Sequence, residues 1–455
     1  MRRPRLRVSG WGVRRWLSPG IGIKRWLVMV FVGELSLALA GGFLLRWIYR
    51  DFDVSGPSRT AIWFLTLQFL PYLLRGAIVG SVGIGLFLYG SWRAIRVLVG
   101  PFLSSQADQP LVEVIYQKRF LSRGPKIAVI GGGTGLHMLL RGIKEHTSNI
   151  TAVVTVADDG GSSGRLSQSL GIPAVGDIRN CIAALADAEP LMAELLQYRF
   201  PEDVSGSLGG HAIGNLLLAA MTSVQGGDFE EAVRQMNRVL AVRGEVVPAT
   251  ATPIVLHARL RDGTEVTGQS EISKCSRIDR VWLSPDGVAA GEDAVRAIAE
   301  ADLVIIGPGS LYTSILPSLL LPEIADAVRT TPALRMYVCN VATQRGESEG
   351  YDLADHVAAL ERHTGSGLVD LVLANNQFAA RRRGDYELEA VKLRWPPLAI
   401  SPTDTAPRLV LDDVVDPENA HHHDSARLAS AIMKVYEREA YGRRRSRVPR
   451  VARTA

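Results

Sequence analysis

The chain reads as an α/β protein built on a mostly parallel sheet with helices on both faces, and three observations predict it. Short, β-branched, apolar runs alternate with amphipathic helical stretches beyond residue 125. The runs are apolar throughout rather than alternating, as strands covered on both faces must be. The first of them, Lys126–Ile130, ends in Gly131-Gly132-Gly133-Thr134-Gly135 and passes straight into a helical pattern through Leu136, Leu139, Leu140 and Ile143. Further strands are expected at Ile150–Val156, Leu303–Ile306, Met336–Cys339 and Leu368–Leu373. Ile254–Val266 alternates polar and apolar residues around Asp262-Gly263 and predicts a β-hairpin.

At 455 residues the chain has room for more than one folding unit. Its 47% hydrophobic and 21% charged residues are those of a globular protein, but that average joins two unlike parts. Residues 1–25 are basic, and residues 26–99 are strongly apolar, with candidate spans at about 26–49 and 61–92. Each is long enough for the roughly 20 residues a membrane helix needs. Arg2 to Arg25 and then Arg93 and Arg96 flank the pair, while the loop from Arg50 to Arg59 is charge-balanced. The positive-inside rule therefore predicts a transmembrane hairpin with both ends in the bacterial cytoplasm. The first apolar run is too long for a signal peptide and is followed by a second. Pro71 and Arg75 interrupt the second span, consistent with a kink and a snorkelling side chain. Residues 100–122 are then a linker, 123–441 the cytoplasmic domain and 442–455 a basic tail.

The formal charge of +5 is concentrated at the two ends, where it marks a membrane face and a solvated tail rather than a nucleic-acid partner. Cys181, Cys275 and Cys339 have no CxxC spacing, which excludes a disulfide framework and a zinc site as organising features. H-E-x-x-H and the kinase motifs are absent.

The glycine turn lets the backbone approach a phosphate, and the helix start behind it offers unpaired N–H groups and a positive dipole end. It matches G-x-G-x-x-G imperfectly, since Leu136 stands where the last glycine belongs, and it lacks the Gly-Lys-Ser/Thr of a Walker A loop. The second strand strengthens the reading. It ends in Asp158-Asp159-Gly160-Gly161-Ser162-Ser163-Gly164-Arg165. In a Rossmann-like unit an acid at this tip meets a ribose hydroxyl or a metal, and the serines and arginine suit phosphate.

Asp177, with Arg179 and Asn180, precedes an apolar helix. Asp177 is either its N-cap or, with Asp158, half of an oxygen-ligand site for Mg2+. His211 and Asn215 open a helix so apolar that burial is expected, with Gly214 allowing close packing. Gly307-Pro308-Gly309-Ser310-Leu311-Tyr312-Thr313 forms a second strand–loop–helix anion site. Asn340, Thr343 and Gln344, and later Asn375 and Asn376, follow strands and read as the rim of one cleft. His421-His422-His423 cannot easily converge on one ion and reads as a solvated loop before a last helix, Ser425–Tyr441.

Together, Gly131–Gly135, Val154–Arg165, Gly176–Cys181, Gly209–Asn215, Gly307–Thr313 and Asn340–Glu347 resemble the gluconeogenesis factor family. Its members are also called YvcK-like or UDP-N-acetylglucosamine-binding proteins, and they are related to 2-phospho-L-lactate transferase (CofD-like). The resemblance covers roughly Arg123 to Tyr441. It implies a Rossmann-like fold, a UDP-sugar ligand and a role supporting cell-wall synthesis and cell shape during gluconeogenic growth. It also implies a homo-oligomer with cell-wall synthesis proteins as partners. The transferase relatives use magnesium and carry paired acids where Asp158 and Asp159 stand. Here the run continues Gly-Gly-Ser-Ser-Gly-Arg, as in the gluconeogenesis branch.

Overall fold

The computed structural model describes residues 121–186, 190–202, 208–377, 390–395 and 407–446, together with isolated positions between 31 and 89. The basic N-terminus, most of both apolar spans, the linker to residue 120 and the tail from residue 447 lie outside the described residues. Those from Phe31 to Arg46 and from Leu74 to Tyr89 that are described have helical backbone. Among the described residues no single helix is long and apolar enough to cross a membrane. The chain divides into a unit of residues 1–120 and a unit of residues 121–455, two residues before the boundary expected from the sequence.

The second unit is an α/β fold around a seven-stranded sheet in the order β10-β9-β8-β7-β1-β2-β3, every neighbouring pair parallel. Its central strands are β1 (Ile127–Gly131), β2 (Ile150–Val154), β7 (Leu303–Ile306), β8 (Leu334–Val338) and β9 (Leu371–Asn375). They fall on the five predicted runs. They are apolar because helices cover both faces, and Val129, Ile130, Ile305 and Ile306 have no exposed surface. The edges are β3 (Glu245–Pro248) and β10 (Arg408–Asp412), which the apolar pattern did not reveal. A separate antiparallel sheet holds β4 (Val255–Leu260), β5 (Glu265–Thr267) and β6 (Ile278–Ser284) in the order β5-β4-β6. Its β4–β5 turn is the predicted Asp262-Gly263 hairpin: Leu260 N–H donates to the Thr264 carbonyl at 2.8 Å, and Gly263 takes φ +88°.

From β1 the chain steps outward through β2 to β3. It then returns to the other side of β1 for β7 and steps outward again to β10. The order reverses between β1 and β7, so the connections leaving their C-terminal ends part and leave a crevice. The helix behind β1 is α1 (Gly133–Ile143), whose Leu136, Leu139, Leu140 and Ile143 are fully buried. The helices α2 (Gly161–Leu170), α3 (Gly176–Leu185), α4 (Pro190–Gln197), α5 (Ile213–Val224), α6 (Phe229–Val239), α7 (Glu292–Ala299), α8 (Pro322–Thr330), α9 (Leu353–Thr364) and α10 (Ser425–Ser446) complete the layers. Gly142 marks where α1 meets α10, since a β-carbon there would lie 1.9 Å from the Ser425 carbonyl oxygen. The α5 helix corrects an expectation of full burial. Leu218 and Thr222 face the core, but Leu217 and Val224 are exposed. Gly214 does allow close packing, as a β-carbon there would meet Arg179 Cγ and the Leu196 carbonyl at 2.7 Å.

Candidate functional site

The crevice at the switch point is a cleft of about 760 Å³. One wall is the β1–α1 turn with Gly133, Thr134 and Gly135. The other is the β7 turn with Pro308, Gly309, Ser310 and Ser314. The glycines are needed because the turns nearly touch: a β-carbon on Gly135 would lie 2.7 Å from the Pro308 carbonyl oxygen and 2.9 Å from Gly309 N. The two glycine turns thus face each other across the cleft.

The β7 turn is held from below. Tyr312 N–H donates to Glu347 Oε2 at 3.1 Å, and Thr313 Oγ1 donates to Glu347 Oε1. Glu347 is completely buried, and burial pushes its carboxyl above the usual range. Asn340 grips Gly309 through both ends of its amide: Nδ2 donates to the Gly309 carbonyl at 2.9 Å and Oδ1 accepts from Gly309 N–H at 3.3 Å. Ser310 Oγ donates to Gln344 Oε1 at 2.7 Å. Asn340, Thr343 and Gln344 do line the cleft. Asn375 does not belong to that rim: its amide donates to the Gln377 carbonyl and closes a turn. Tyr312 and Thr313 are buried under the turn rather than open to the cleft.

The three histidines require a correction. All three line the cleft; His421 and His422 are exposed, as a solvated loop requires, and His423 is not. His423 is buried, with Nε2 3.2 Å from the Cys339 carbonyl oxygen, and burial holds its pKa down at about 4, so it is neutral. Met138, Arg345 and Glu349 also reach the cleft and were not foreseen. The only sequence sign of His421 to His423 was an unusual run of three imidazoles before a helix.

The acids gather on the other side of the β1–α1 turn. Asp177 is not the N-cap of α3; that place is taken by Val175, and Asp177 sits inside the first turn. Its carboxylate lies beneath Gly132, where a β-carbon would come within 2.5 Å of Oδ2, and it accepts a hydrogen bond from Gly133 N–H. Oδ2 has no partner although it is buried. Burial, with the Asp158 carboxylate beside it, raises the Asp177 pKa to about 6. Asp158 is also raised, chiefly by burial, although Gly160 N–H donates to its Oδ1 at 3.0 Å. Thr155 Oγ1, Arg179 Nε and Asn215 Oδ1 are likewise buried without partners. Such atoms are costly in a finished core and ordinary in a site shaped for a polar ligand. Two carboxylates suit Mg2+, which takes one or two protein acids and completes its shell with phosphate and water. No cluster of three or more metal-ligating side chains occurs among the described residues.

The neighbouring side chains are engaged within the protein. Ser162 Oγ accepts from Asn215 Nδ2 at 3.0 Å and lies 3.0 Å from His211 Nδ1. Burial, the largest influence, and Arg165 lower the His211 pKa. Ser163 Oγ accepts from Val175 and Gly176 N–H. Asp159 Oδ1 accepts from Ser270 N–H at 2.8 Å, tying the small sheet to the β2 turn. Arg165 donates to the Gly209 carbonyl, and Arg179 to Asn180 Oδ1. These residues position the acids and the turn, a role that only non-local contacts reveal.

Residues 127–394 match the family of 2-phospho-L-lactate transferase CofD. A gluconeogenesis factor relative from Nostoc sp. is 46% identical over 382 residues, covering 82% of this chain and 80% of its own. The chain belongs to the CofD-like gluconeogenesis factor family. The gluconeogenesis factor of Bacillus subtilis is 51% identical over 274 residues, 60% of this chain and 86% of its own. A crystal structure from Bacillus halodurans, described as a member of the UPF0052 family, superposes with a TM-score of 0.61 at 42% identity. It covers 68% of this chain and 99% of its own. The family match contains both walls of the cleft and the acids, and stops short of His421 to His423.

Proposed function

We propose that this gluconeogenesis factor binds a nucleotide sugar of the UDP-N-acetylglucosamine kind in the cleft between the two glycine turns, and regulates rather than turns over. The observation that carries the reading is the pair of facing turns at the switch point, with backbone N–H groups at the start of α1 and a cleft of about 760 Å³ between them. Gly133 to Gly135 would take the diphosphate, and Gly309, Ser310, Asn340, Thr343 and Gln344 the opposite side. Asp158 is half-exposed at the tip of β2, where a ribose hydroxyl is met in such folds. In the cell this supports cell-wall synthesis and cell shape during gluconeogenic growth.

The unpartnered Asp177 Oδ2 beside Asp158 favours a second reading, a magnesium-dependent transferase of the 2-phospho-L-lactate type. There the two acids would hold the ion, which neutralises charge on a bridging phosphate oxygen when bound. Calorimetric titration of the full-length chain with UDP-N-acetylglucosamine, with and without magnesium, separates the two. Binding of roughly micromolar strength without magnesium, lost in Asp158→Ala, is the expected result. Strict magnesium dependence favours the transferase. No binding at all, with a guanine or nicotinamide nucleotide binding instead, overturns the nucleotide-sugar reading.

We further propose that residues 26–99 anchor the protein in the bacterial cytoplasmic membrane as a hairpin, with the α/β unit in the cytoplasm. The apolar runs and their basic flanks carry this. The full chain is expected to stay with membranes at alkaline pH, while a chain beginning at residue 121 does not. Release of both into the supernatant would sink the idea.

A further inference from the structure

Beyond the cleft, a second cavity of about 750 Å³ lies between the small antiparallel sheet and α9. Three guanidinium groups line it, those of Arg261, Arg277 and Arg362. Among the described residues none of the three makes an ion pair. The two acids on the wall do not cancel them. Asp355 is already engaged, accepting from Asp352 N–H at 3.1 Å and from Arg394 at 3.2 Å, which leaves Glu349 alone. An arginine cannot shed its charge in a protein, so this wall keeps a net positive charge.

The backbone is bent to build it. A register shift at Arg259/Leu260 interrupts the β4–β6 ladder, and there Arg277 takes φ +62°, a left-handed conformation that non-glycine residues rarely adopt. Its carbonyl accepts from Arg261 N–H at 3.0 Å, which fixes the two arginines side by side. Arg261 and Arg362 are close enough to Tyr312 to act on its hydroxyl, which is hydrogen-bonded at 2.8 Å to that of Tyr351. Tyr351 lines this cavity, while Tyr312 belongs to the β7 turn that walls the cleft. Glu349 lines both cavities.

We propose that this arginine cavity is a second anion site, taking the phosphate group of a small phosphorylated metabolite beside the nucleotide cleft. Planar guanidinium forks lining one cavity from three positions suit a phosphate, each offering two parallel N–H donors. Occupancy would be felt at the β7 turn through Tyr351 and Tyr312, which gives the site the placement of an effector site.

Inorganic pyrophosphate is the probe. It is titrated calorimetrically into the full-length chain, into the double variant Arg261→Gln/Arg362→Gln, and into the cleft variant Gly135→Ala. The expected result is a binding event weakened at least tenfold in the double variant and retained in the cleft variant. Because the three side chains are exposed, folding of the double variant should be unchanged by thermal melting. Should it melt early, Arg277→Asn removes a guanidinium while keeping a residue tolerant of positive φ, and must show the same loss. Native affinity in the arginine variants, no binding to the native chain, or loss only in Gly135→Ala would each overturn the proposal. Loss only in Gly135→Ala would place the anion in the nucleotide cleft and so favour that reading while sinking this one; the other outcomes leave the nucleotide-sugar reading untouched.

Discussion

Asp177→Asn is expected to stabilise the unliganded protein above pH 7 and, on the transferase reading, to weaken magnesium-dependent binding of a nucleotide at least tenfold. The native carboxyl holds its proton up to about pH 6 because burial and Asp158 penalise the charge. In the unfolded chain it would lose the proton near 3.8. Between those values the folded state binds more protons than the unfolded one, so stability falls as pH rises. The full fall is on the order of 3 kcal/mol. Asparagine has nearly the same shape and no charge, so the fall should vanish from a series of thermal melts between pH 4 and 8. At pH 7.5 the variant should then be the more stable by about 1–2 kcal/mol, allowing for a buried amide that needs partners. A residue retained at a cost to stability is one kept for a ligand. Equal melting curves across the series would show that Asp177 is already neutralised by Arg179 and would remove it from the metal reading.

Gly135→Ala should close the cleft from the other direction. Gly135 needs no left-handed backbone, so the effect of a methyl is purely steric. The methyl would meet the Pro308 carbonyl and Gly309 N, both main-chain atoms, and Asn340 holds Gly309 in place. Neither wall can yield without moving the other. The expected cost is about 2 kcal/mol in stability by denaturant unfolding, with nucleotide affinity reduced tenfold or more. A variant that melts lower yet binds nucleotide as tightly as the native chain would show that the ligand lies elsewhere than between these turns.

The missed and found strands have a common explanation. The five runs visible in the sequence are the interior of the sheet, where both faces are covered and every residue must be apolar. The two that escaped, β3 and β10, are its edges. There Glu245 and Pro248, or Arg408 and Asp412, are tolerated because one side of the strand has no neighbour. The ligand-facing turns were legible for a related reason. Glycine runs at the end of an apolar strand answer a local demand, the close approach of backbone to an anion or to another turn.

Partner choice was not legible, because hydrogen bonds form between residues distant in the chain. Ser162 and His211 are 49 positions apart, Asp159 and Ser270 are 111 apart, and Thr313 and Glu347 are 34 apart. From the sequence alone, Ser162 and Ser163 suited phosphate, and Asp177 suited either a helix cap or, with Asp158, a magnesium site. In the fold the serines brace loops, and Asp177 is left with a bare oxygen beneath Gly132. The histidine run stays at the surface at His421 and His422 yet lines the cleft, because α10 packs on α1 and carries the preceding loop with it. The sequence by itself determined the sheet interior, the two anion-ready turns and the family, since each follows from short-range burial and backbone freedom. Only the tertiary structure decided which polar side chains remain free for a ligand, since that depends on every other donor and acceptor brought within 3 Å.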